Sequence, residues 1–261
     1  MVIVLADADG RNQVAIPMTP LADVSQAAWS PDGRWIAVAG GAADAAGALW
    51  IVDTVAQTAR KTDGLALDDE ALLWRPPDGR QVAVIAQDSQ QGQLRFALVT
   101  PGVDKLGFLA PVGYLGSQFR AGGWTPDGSR FVYASDPPWG QVHVVEVDGG
   151  GDVQIQPSMA GNGAIYPRLS NDGRRVLFME QGPEGKSWLS VAPSDGSKAA
   201  VRVSDIYPDG IGTHYSWSPD DRSIEFEPNV GPHVLLDPAG GPATTPSWVA
   251  EGGESWQRRA P

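Results

Sequence analysis

The sequence predicts an all-β protein built from repeated sheets of four short strands, the arrangement of a six-bladed β-propeller. A Trp-turn-strand unit recurs along the 261 residues at a spacing of about 40–50 residues, which is typical of propeller blades. The chain contains 32 Gly and 22 Pro, spread throughout rather than gathered in a linker. That distribution suits many strands joined by tight turns. Its ten Trp each need a packing partner.

Each repeat begins with a strand that ends in a Trp and is followed by a Ser-Pro-Asp-Gly turn, as in AAWSPDGRWIAVAG from Ala27. Ser first, Pro second and Gly last are the preferences of a type I turn. An alternating apolar strand, a third strand and a more polar outer strand then follow. The blades therefore start near residues 29, 74, 124, 169 and 217. The marker positions are Trp29, Trp74, Trp124, Leu169, Trp217 and Trp256.

The marker Trp residues are interpreted as structural wedges between neighbouring sheets. Burying one such ring stabilises a fold by about 2–3 kcal/mol, and its truncation to Ala costs about 3–5 kcal/mol. Leu169 occupies the same position with less volume, so we expect its blade to pack more loosely.

The two ends of the chain predict a shared blade. Residues 1–20 match a third and a fourth strand, whereas residues 250–261 match a first strand. Pairing the two segments in one sheet closes a ring and removes exposed sheet edges. We therefore expect residues 1–261 to form a single propeller domain with six blades, closed by the N- and C-terminal strands.

Composition excludes several classes of protein. The net charge of −12 makes nucleic acid an unsuitable partner, because an acidic surface repels phosphates. The absence of Cys excludes disulfides, zinc-thiolate sites and thiol nucleophiles. No apolar run is long enough to span a membrane. The first residues lack the basic region of a signal peptide, so a targeting segment would lie outside this sequence. We expect a monomer.

The sequence carries no catalytic motif. A Gly-x-Ser-x-Gly nucleophile elbow is absent, and no Gly-rich phosphate loop is present. Three His are too few for a three-His metal centre unless all converge, and His143 and His233 are interpreted as ordinary strand residues. We assign no catalytic residue, cofactor or metal, and favour a protein without enzymatic activity.

Residues just before each marker position form the candidate binding site. The innermost strand of a propeller blade begins near one mouth of the central channel, so these side chains converge there from all blades. Aromatic, basic and acidic groups on a concave surface suit a peptide or a small polar ligand. His214 is the only His among them. The set is Gln26, Asp69, Glu70, Phe119, Arg120, Tyr166, Arg168, His214, Tyr215 and Glu254.

The stretch WSPDGRWIAVAG…LWIVD resembles the WD-like Pro-Asp-Gly repeat of the TolB propeller over nearly the whole chain. The same repeat occurs in the N-terminal propellers of prolyl-oligopeptidase-like peptidases and in many bacterial periplasmic or surface proteins. The resemblance implies six blades, a periplasmic or extracellular location, and partner binding at the channel mouth. A cytoplasmic location remains an alternative. TolB would also have a separate N-terminal α/β domain, and the peptidases a hydrolase domain; this sequence contains neither.

Three functions remain open at this point. The favoured one is a non-enzymatic binding or scaffold propeller that recognises a peptide, protein or small ligand at the channel mouth. The second is a metal-dependent lyase or hydrolase that uses the channel site, which would require a cluster of His ligands. The third is a propeller domain that filters access within a larger peptidase-like enzyme.

Overall fold

The computed structural model describes most of the chain, and its strands are short and antiparallel throughout. The described residues are 1–19, 21, 23–42, 45–67, 72–87, 94–103, 107–108, 120–135, 140–147, 150–208, 211, 214–229 and 231–246. They form two compact units, Met1–Leu115 and Gly116–Pro261. Among them no helix has the length and hydropathy needed to span a bilayer.

The first unit contains three groups of antiparallel strands. Sheet 1 is a two-stranded hairpin, and sheets 2 and 3 have four strands each and are joined where β6 pairs with β8. Sheet 1 comprises β1 (Val2–Leu5) and β2 (Val14–Pro17). Sheet 2 comprises β3 (Gln26–Trp29), β4 (Trp35–Ala42), β5 (Ala45–Asp53) and β6 (Thr58–Leu67). Sheet 3 comprises β7 (Leu73–Trp74), β8 (Val82–Gln87), β9 (Leu94–Val99) and β10 (Gly107–Phe108).

The second unit contains three further sheets, each a meander of sequential strands. Sheet 4 comprises β11 (Arg120–Trp124), β12 (Arg130–Ser135), β13 (Gln141–Glu146) and β14 (Asp152–Gln154). Sheet 5 comprises β15 (Gly163–Leu169), β16 (Arg175–Gln181), β17 (Ser187–Pro193) and β18 (Val201–Arg202). Sheet 6 comprises β19 (Tyr215–Trp217), β20 (Ile224–Phe226) and β21 (Val234–Leu236). A 3-10 turn, Pro183–Gly185, lies between β16 and β17 of sheet 5. The prediction of an all-β chain with six antiparallel groups of strands is confirmed.

Apolar side chains are buried between consecutive sheets rather than in one central core. In the first unit, one cluster packs sheet 1 on sheet 2 and a second packs sheet 2 on sheet 3. In the second unit, one cluster joins sheets 4 and 5 and another joins sheets 5 and 6. Phe96, Phe131, Phe178 and Phe226 are fully buried on the central strands. Successive side chains of these central strands point to opposite faces of their sheet, as in any β-strand.

The Ser-Pro-Asp-Gly turns have a shared hydrogen-bond pattern. The Ser30 hydroxyl donates to Asp32 Oδ1 over 2.6 Å and accepts the Trp35 backbone N–H over 2.9 Å. Asp32 Oδ1 also accepts the Arg34 backbone N–H, while Gly33 has a φ of +70° that suits glycine. The same pattern recurs in the turns that begin at Thr125, Ser170 and Ser218. The turn of sheet 3 differs, because Arg75 replaces the hydroxyl residue.

Two marker Trp residues lie between sheets as the sequence predicts. Trp74 is buried, and its indole N–H donates to the carbonyl of Ala28 in sheet 2 over 2.9 Å. Trp217 is buried as well, and its indole N–H donates to the carbonyl of Arg168 in sheet 5 over 3.1 Å. Ala28 and Arg168 each precede the marker residue of the preceding sheet. The wedge therefore combines apolar burial with a recurrent hydrogen bond.

The remaining marker positions differ from one another. Trp124 is half-buried and meets Phe131 edge-on at 4.8 Å, and Leu169 is half-buried beside the cluster between sheets 4 and 5. Trp29 departs from the expected wedge, because it is 58% exposed. In the described part of the chain the preceding sheet 1 has only two strands and offers no inner strand for this ring. Trp256 lies outside the described residues.

Candidate functional site

A cluster of polar side chains lies beside the first two strands of sheet 6. It stands at the end of the strand pair that is opposite the Ser-Pro-Asp turn. His214 directly precedes β19, and Glu227 directly follows β20. The Glu227 backbone N–H donates to the His214 carbonyl over 3.0 Å, which extends the ladder by one pair. This pairing holds the two side chains at the same end of the sheet.

Glu227 joins two imidazoles. Its Oε2 lies 3.2 Å from His214 Nδ1, and its Oε1 lies 3.3 Å from His233 Nε2. The hydrogen bond with His214, together with the charge of His233, lowers the pKa of Glu227 below its ordinary value. The carboxylate is therefore ionised and orients both rings. We call His214, Glu227 and His233 the His-Glu-His cluster.

The two imidazoles of this cluster differ in exposure. The His214 side chain is 77% exposed, whereas that of His233 is 13% exposed. His233 Nδ1 is buried without a hydrogen-bond partner in the described structure. His214 is thus the member that presents a ring nitrogen and an aromatic face to solvent. An exposed imidazole held in this way can donate or accept a hydrogen bond according to its tautomer.

His233 was interpreted from the sequence as an ordinary strand residue, and the structure corrects this. It stands one residue before β21, in the connection that follows β20, so the chain returns it to Glu227. The signal that sequence analysis missed is the short spacing of Glu227 and His233 on the two sides of one hairpin connection.

Tyr215 was predicted to face the mouth, but it lies inside the sheet packing. Its side chain is 5% exposed, and its hydroxyl donates to the Tyr166 carbonyl over 2.6 Å. Burial raises the pKa of the Tyr215 phenol strongly, although the charge of Arg168 opposes this rise. Tyr215 therefore links sheet 6 to sheet 5 rather than offering a free hydroxyl.

Tyr166 and Arg168 lie on the neighbouring strand β15. A β-bulge falls between Ile165 and Arg168, and Tyr166 has a φ of +53° in the left-handed region. Bulges of this kind redirect side chains and are frequent next to functional sites. Both side chains are half-buried, and the Arg168 guanidinium donates to the Pro167 carbonyl over 3.2 Å. Sheet 5 therefore places an aromatic ring and a cation beside sheet 6.

The other predicted mouth residues are only partly described. Gln26 is half-buried at the start of β3 in the first unit, where it pairs with Ala39. Arg120 begins β11, and its backbone pairs with Ala134. Asp69, Glu70, Phe119 and Glu254 lie outside the described residues. The structure thus joins Tyr215 to Tyr166 and places it within electrostatic range of Arg168, and the rest of the predicted convergence stays a prediction.

The chemistry of the cluster is that of recognition. It offers a carboxylate and an exposed imidazole, which together can donate and accept hydrogen bonds. Within the described ranges, no group of three His, Cys, Asp or Glu side chains has positions that could hold a metal ion.

Comparisons with known proteins identify the fold of this chain. No protein-family model matches the sequence. Among curated proteins, a 108-residue stretch is 28% identical to periodic tryptophan protein 1 of Saccharomyces cerevisiae, covering 37% of this chain and 19% of the yeast protein. The chain thus spans less than a fifth of that relative.

Solved structures match over nearly the whole chain. TolB from Acinetobacter baumannii matches with a TM-score of 0.58 and 18% identity, over 92% of this chain and 57% of TolB. A TolB-like protein from Agrobacterium tumefaciens matches with a TM-score of 0.58 and 19% identity, over 94% and 87% of the two chains. An oligogalacturonate lyase in complex with manganese matches with a TM-score of 0.54 and 16% identity, over 92% and 70%. The structural neighbours are TolB-like β-propellers, so the predicted resemblance in fold is confirmed.

Proposed function

We propose that this chain is a non-enzymatic binding propeller that recognises a peptide, a protein or a small polar ligand through the His-Glu-His cluster. The cluster is taken to lie at the mouth of the central channel, with Tyr166 and Arg168 beside it. The observation that carries the proposal is the exposed His214 imidazole, which Glu227 holds in place.

The electrostatics of the cluster support a binding role. Glu227 is ionised at neutral pH and shared by two rings, which leaves the exposed side of His214 available for a ligand group. Arg168 on the next sheet supplies a permanent positive charge. A ligand with both a hydrogen-bond donor and a carboxylate satisfies this arrangement, as the terminus or an acidic side chain of a peptide does.

A sharp test uses two exposed residues at opposite ends of sheet 6. Peptides selected on the wild-type chain from a random display library are titrated against His214→Ala and Arg222→Ala, because Arg222 is 85% exposed in the Ser-Pro-Asp turn. We expect His214→Ala to weaken binding at least tenfold and Arg222→Ala to leave it unchanged. Equal affinity for all three proteins would overturn the proposal.

Ring closure is part of the same proposal. Strand β1 pairs with β2 on one side, and its other edge has no strand partner within the described residues. Residues 250–261 have the sequence of a first strand and would fill this edge. Because the chain has no native Cys, Val4→Cys combined in turn with Cys at positions 254–258 tests the pairing. We expect one combination to form an intramolecular disulfide in the monomer, and the absence of any such disulfide would exclude this closure.

A catalytic role is the second candidate, and the likeness to a lyase is the observation that favours it. A solved neighbour is an oligogalacturonate lyase in complex with manganese, although the described residues contain no three-residue group placed to hold a metal ion. Titration with Mn²⁺ by calorimetry separates the candidates. Stoichiometric binding that is lost in His233→Ala would favour a metal-dependent lyase or hydrolase over the binding propeller.

Location and assembly complete the proposal. We infer a periplasmic or extracellular monomer, which the TolB-like fold supports. The chain spans little more than half of the Acinetobacter TolB, so a role as the access-filtering part of a larger enzyme stays open. Fractionation of the native host and the mass of the endogenous protein test both points. A cytoplasmic location would contradict the first point, and a much larger endogenous mass would favour the access-filtering role.

A further inference from the structure

A cleft lies in the first unit, between sheets 2 and 3. Its volume is about 340 Å³, within the range of roughly 300–1,000 Å³ that small-molecule sites occupy. The strand register places it at the Ser-Pro-Asp-Gly end of sheet 2, because Trp35 pairs with Asp53 and Asp53 pairs with Thr58. Gln26 lies at the other end of that sheet. The cleft is therefore separate from the predicted channel mouth.

The floor of the cleft is apolar. Ile51 from sheet 2 and Val99 from sheet 3 line it, and both are buried in the cluster that joins the two sheets. Trp35 adds a half-buried indole. The guanidinium of Arg34 lies 4.9 Å from the centre of the Trp35 ring, a cation–π distance that holds the ring in place. The apolar body of a ligand can pack on this floor.

The strand register decides which side chains of β6 face the cleft. Thr62 pairs with Leu49, and Leu49 is buried toward sheet 3. Thr58 pairs with Asp53, which lies two residues beyond the equally buried Ile51 and so shares its face. Because directly paired residues lie on the same face of a sheet, the side chains of Thr58 and Thr62 point toward the cleft that both line.

The two charged side chains on this face are already engaged. Asp53 Oδ2 pairs with Arg34 over 3.3 Å, and its Oδ1 accepts the backbone N–H groups of Val55 and Ala56 over 2.9 Å each. Burial raises the pKa of Asp53, but these hydrogen bonds outweigh it, so the pKa lies below its ordinary value. Arg60 lines the cleft and takes part in an interaction of its own. A ligand charge would gain no unengaged partner from these two groups, and burying an unpaired charge is costly.

Neutral hydrogen-bonding groups remain available in the cleft. The Trp35 indole N–H and the hydroxyls of Thr58 and Thr62 form no hydrogen bond with any residue that the structure describes. The indole N–H can only donate, whereas each hydroxyl can both donate and accept. This set matches a ligand that carries several hydroxyl groups and no charge.

We propose that this cleft binds a neutral sugar or its glycoside. The apolar face of the ligand lies on Ile51 and Val99, and its hydroxyl groups bond to the Trp35 indole N–H and to the two threonine hydroxyls. An apolar floor with a few convergent polar groups is the ordinary composition of a small-ligand site. The site is independent of the His-Glu-His cluster.

The test uses phenyl β-D-glucopyranoside as the probe and phenyl β-D-glucuronide as its matched anionic control. Each is titrated into ¹⁵N-labelled full chain while the amide and indole resonances are followed. We expect the glucoside at millimolar concentration to shift the Trp35 indole N–H and the amides of Thr58 and Thr62. The glucuronide should bind more weakly, because its carboxylate finds no unengaged cation.

Two variants separate the threonine hydroxyls from the rest of β6. Thr58→Val combined with Thr62→Val keeps the shape of both side chains but removes their hydroxyls, and it should weaken glucoside binding about fivefold or more. Lys61→Ala is the matched control. Lys61 lies on the same strand but pairs with Trp50, which is buried toward sheet 1, so its side chain points away from the cleft. We expect Lys61→Ala to leave binding unchanged.

Three results would overturn the proposal. The first is that the glucoside shifts none of these resonances at millimolar concentration. The second is that the glucuronide binds as tightly as the glucoside, which would contradict a neutral ligand. The third is that the double threonine variant binds as well as wild type, or loses no more affinity than Lys61→Ala, which would remove the role of the hydroxyls.

Discussion

Asn171 in the turn of sheet 5 and Asp221 in the turn of sheet 6 form a polar lock between the two sheets. The Asn171 backbone N–H and side-chain amide both donate to Asp221 Oδ1 over 2.7 Å, and the Asp172 N–H donates to Oδ2 over 2.9 Å. The Asp221 side chain is buried, and its φ of +58° is one that glycine adopts more easily.

The corresponding positions elsewhere hold Pro and Gly. Gly79 approaches Pro31 so closely that an added Cβ would lie 2.8 Å from the Pro Cδ, and Gly173 approaches Pro126 in the same way at 2.7 Å. Asn171 stands where the other turns have Pro, and Asp221 where they have Gly. At this interface a hydrogen-bonded pair replaces a close apolar contact.

The lock predicts strong coupling between the two positions. Asp221→Gly removes the carboxylate that accepts the backbone N–H groups of Asn171 and Asp172 and one hydrogen bond of the Asn171 amide, and we expect it to lower the free energy of unfolding by about 1–3 kcal/mol. Asn171→Pro combined with Asp221→Gly restores the Pro-Gly contact and should recover most of that loss. Urea denaturation of the two single variants and the double variant measures the coupling. Additive losses would show that the two residues act separately.

The hydroxyl-capped turns predict acid sensitivity. The Thr125 hydroxyl and the Ser129 N–H and hydroxyl lower the pKa of Asp127 from 3.8 to about 2. Because the pKa is lower in the folded state, this contribution to stability is fully present above the unfolded pKa. It is lost as the pH falls toward 2. We expect the free energy of unfolding to decline across this window.

Asp127→Asn should flatten this decline, since it removes the titrating group. The matched control is Asp78→Asn, because Arg75 gives that turn no hydroxyl donor. Denaturation at a series of pH values measures both. An identical pH profile for wild type and Asp127→Asn would contradict the assigned cause.

Tyr215 and His214 are neighbours in sequence with opposite roles. Tyr215→Phe removes the hydrogen bond to the Tyr166 carbonyl and should cost about 0.5–1.5 kcal/mol of stability. His214→Ala removes an exposed side chain and should change stability by less than about 0.5 kcal/mol. Thermal and urea unfolding of both variants check this, and a larger loss for His214→Ala would show that its ring is structural.

Turn chemistry and the repeat were predictable because they depend on residues close in sequence. Ser30, Asp32 and Gly33 make their hydrogen bonds within six residues, so the motif specifies the turn wherever it occurs. The location of the wedges followed as well, since Trp74 and Trp217 occupy one fixed position per repeat.

The site was harder to predict because it depends on which way a strand faces. The bulge at Tyr166 and the pairing of β19 bury Tyr215, and neither can be read from spacing alone. His233 reaches Glu227 only because the chain after β20 turns back on itself. Trp29 repeats the marker motif but its exposure is decided by the neighbouring sheet.

Sheet packing through the marker Trp predicts a clear effect of truncation. Trp217→Ala removes a buried ring and should lower stability by about 3–5 kcal/mol. Trp217→Phe keeps a ring but loses the N–H donor to the Arg168 carbonyl, so its loss should be smaller. Trp29→Ala removes a largely exposed ring and should cost the least. Urea denaturation ranks the three, and a loss in Trp29→Ala as large as that in Trp217→Ala would break the ranking.

Hydrogen exchange of the indole N–H groups tests the wedge between sheets most directly. Each indole resonance is assigned by substituting its Trp, and its exchange is followed after transfer to deuterium oxide. Donation to the Ala28 and Arg168 carbonyls predicts slow exchange for Trp74 and Trp217 and fast exchange for Trp29. Exchange of Trp74 and Trp217 as fast as that of Trp29 would contradict the packing of these sheets through the marker Trp.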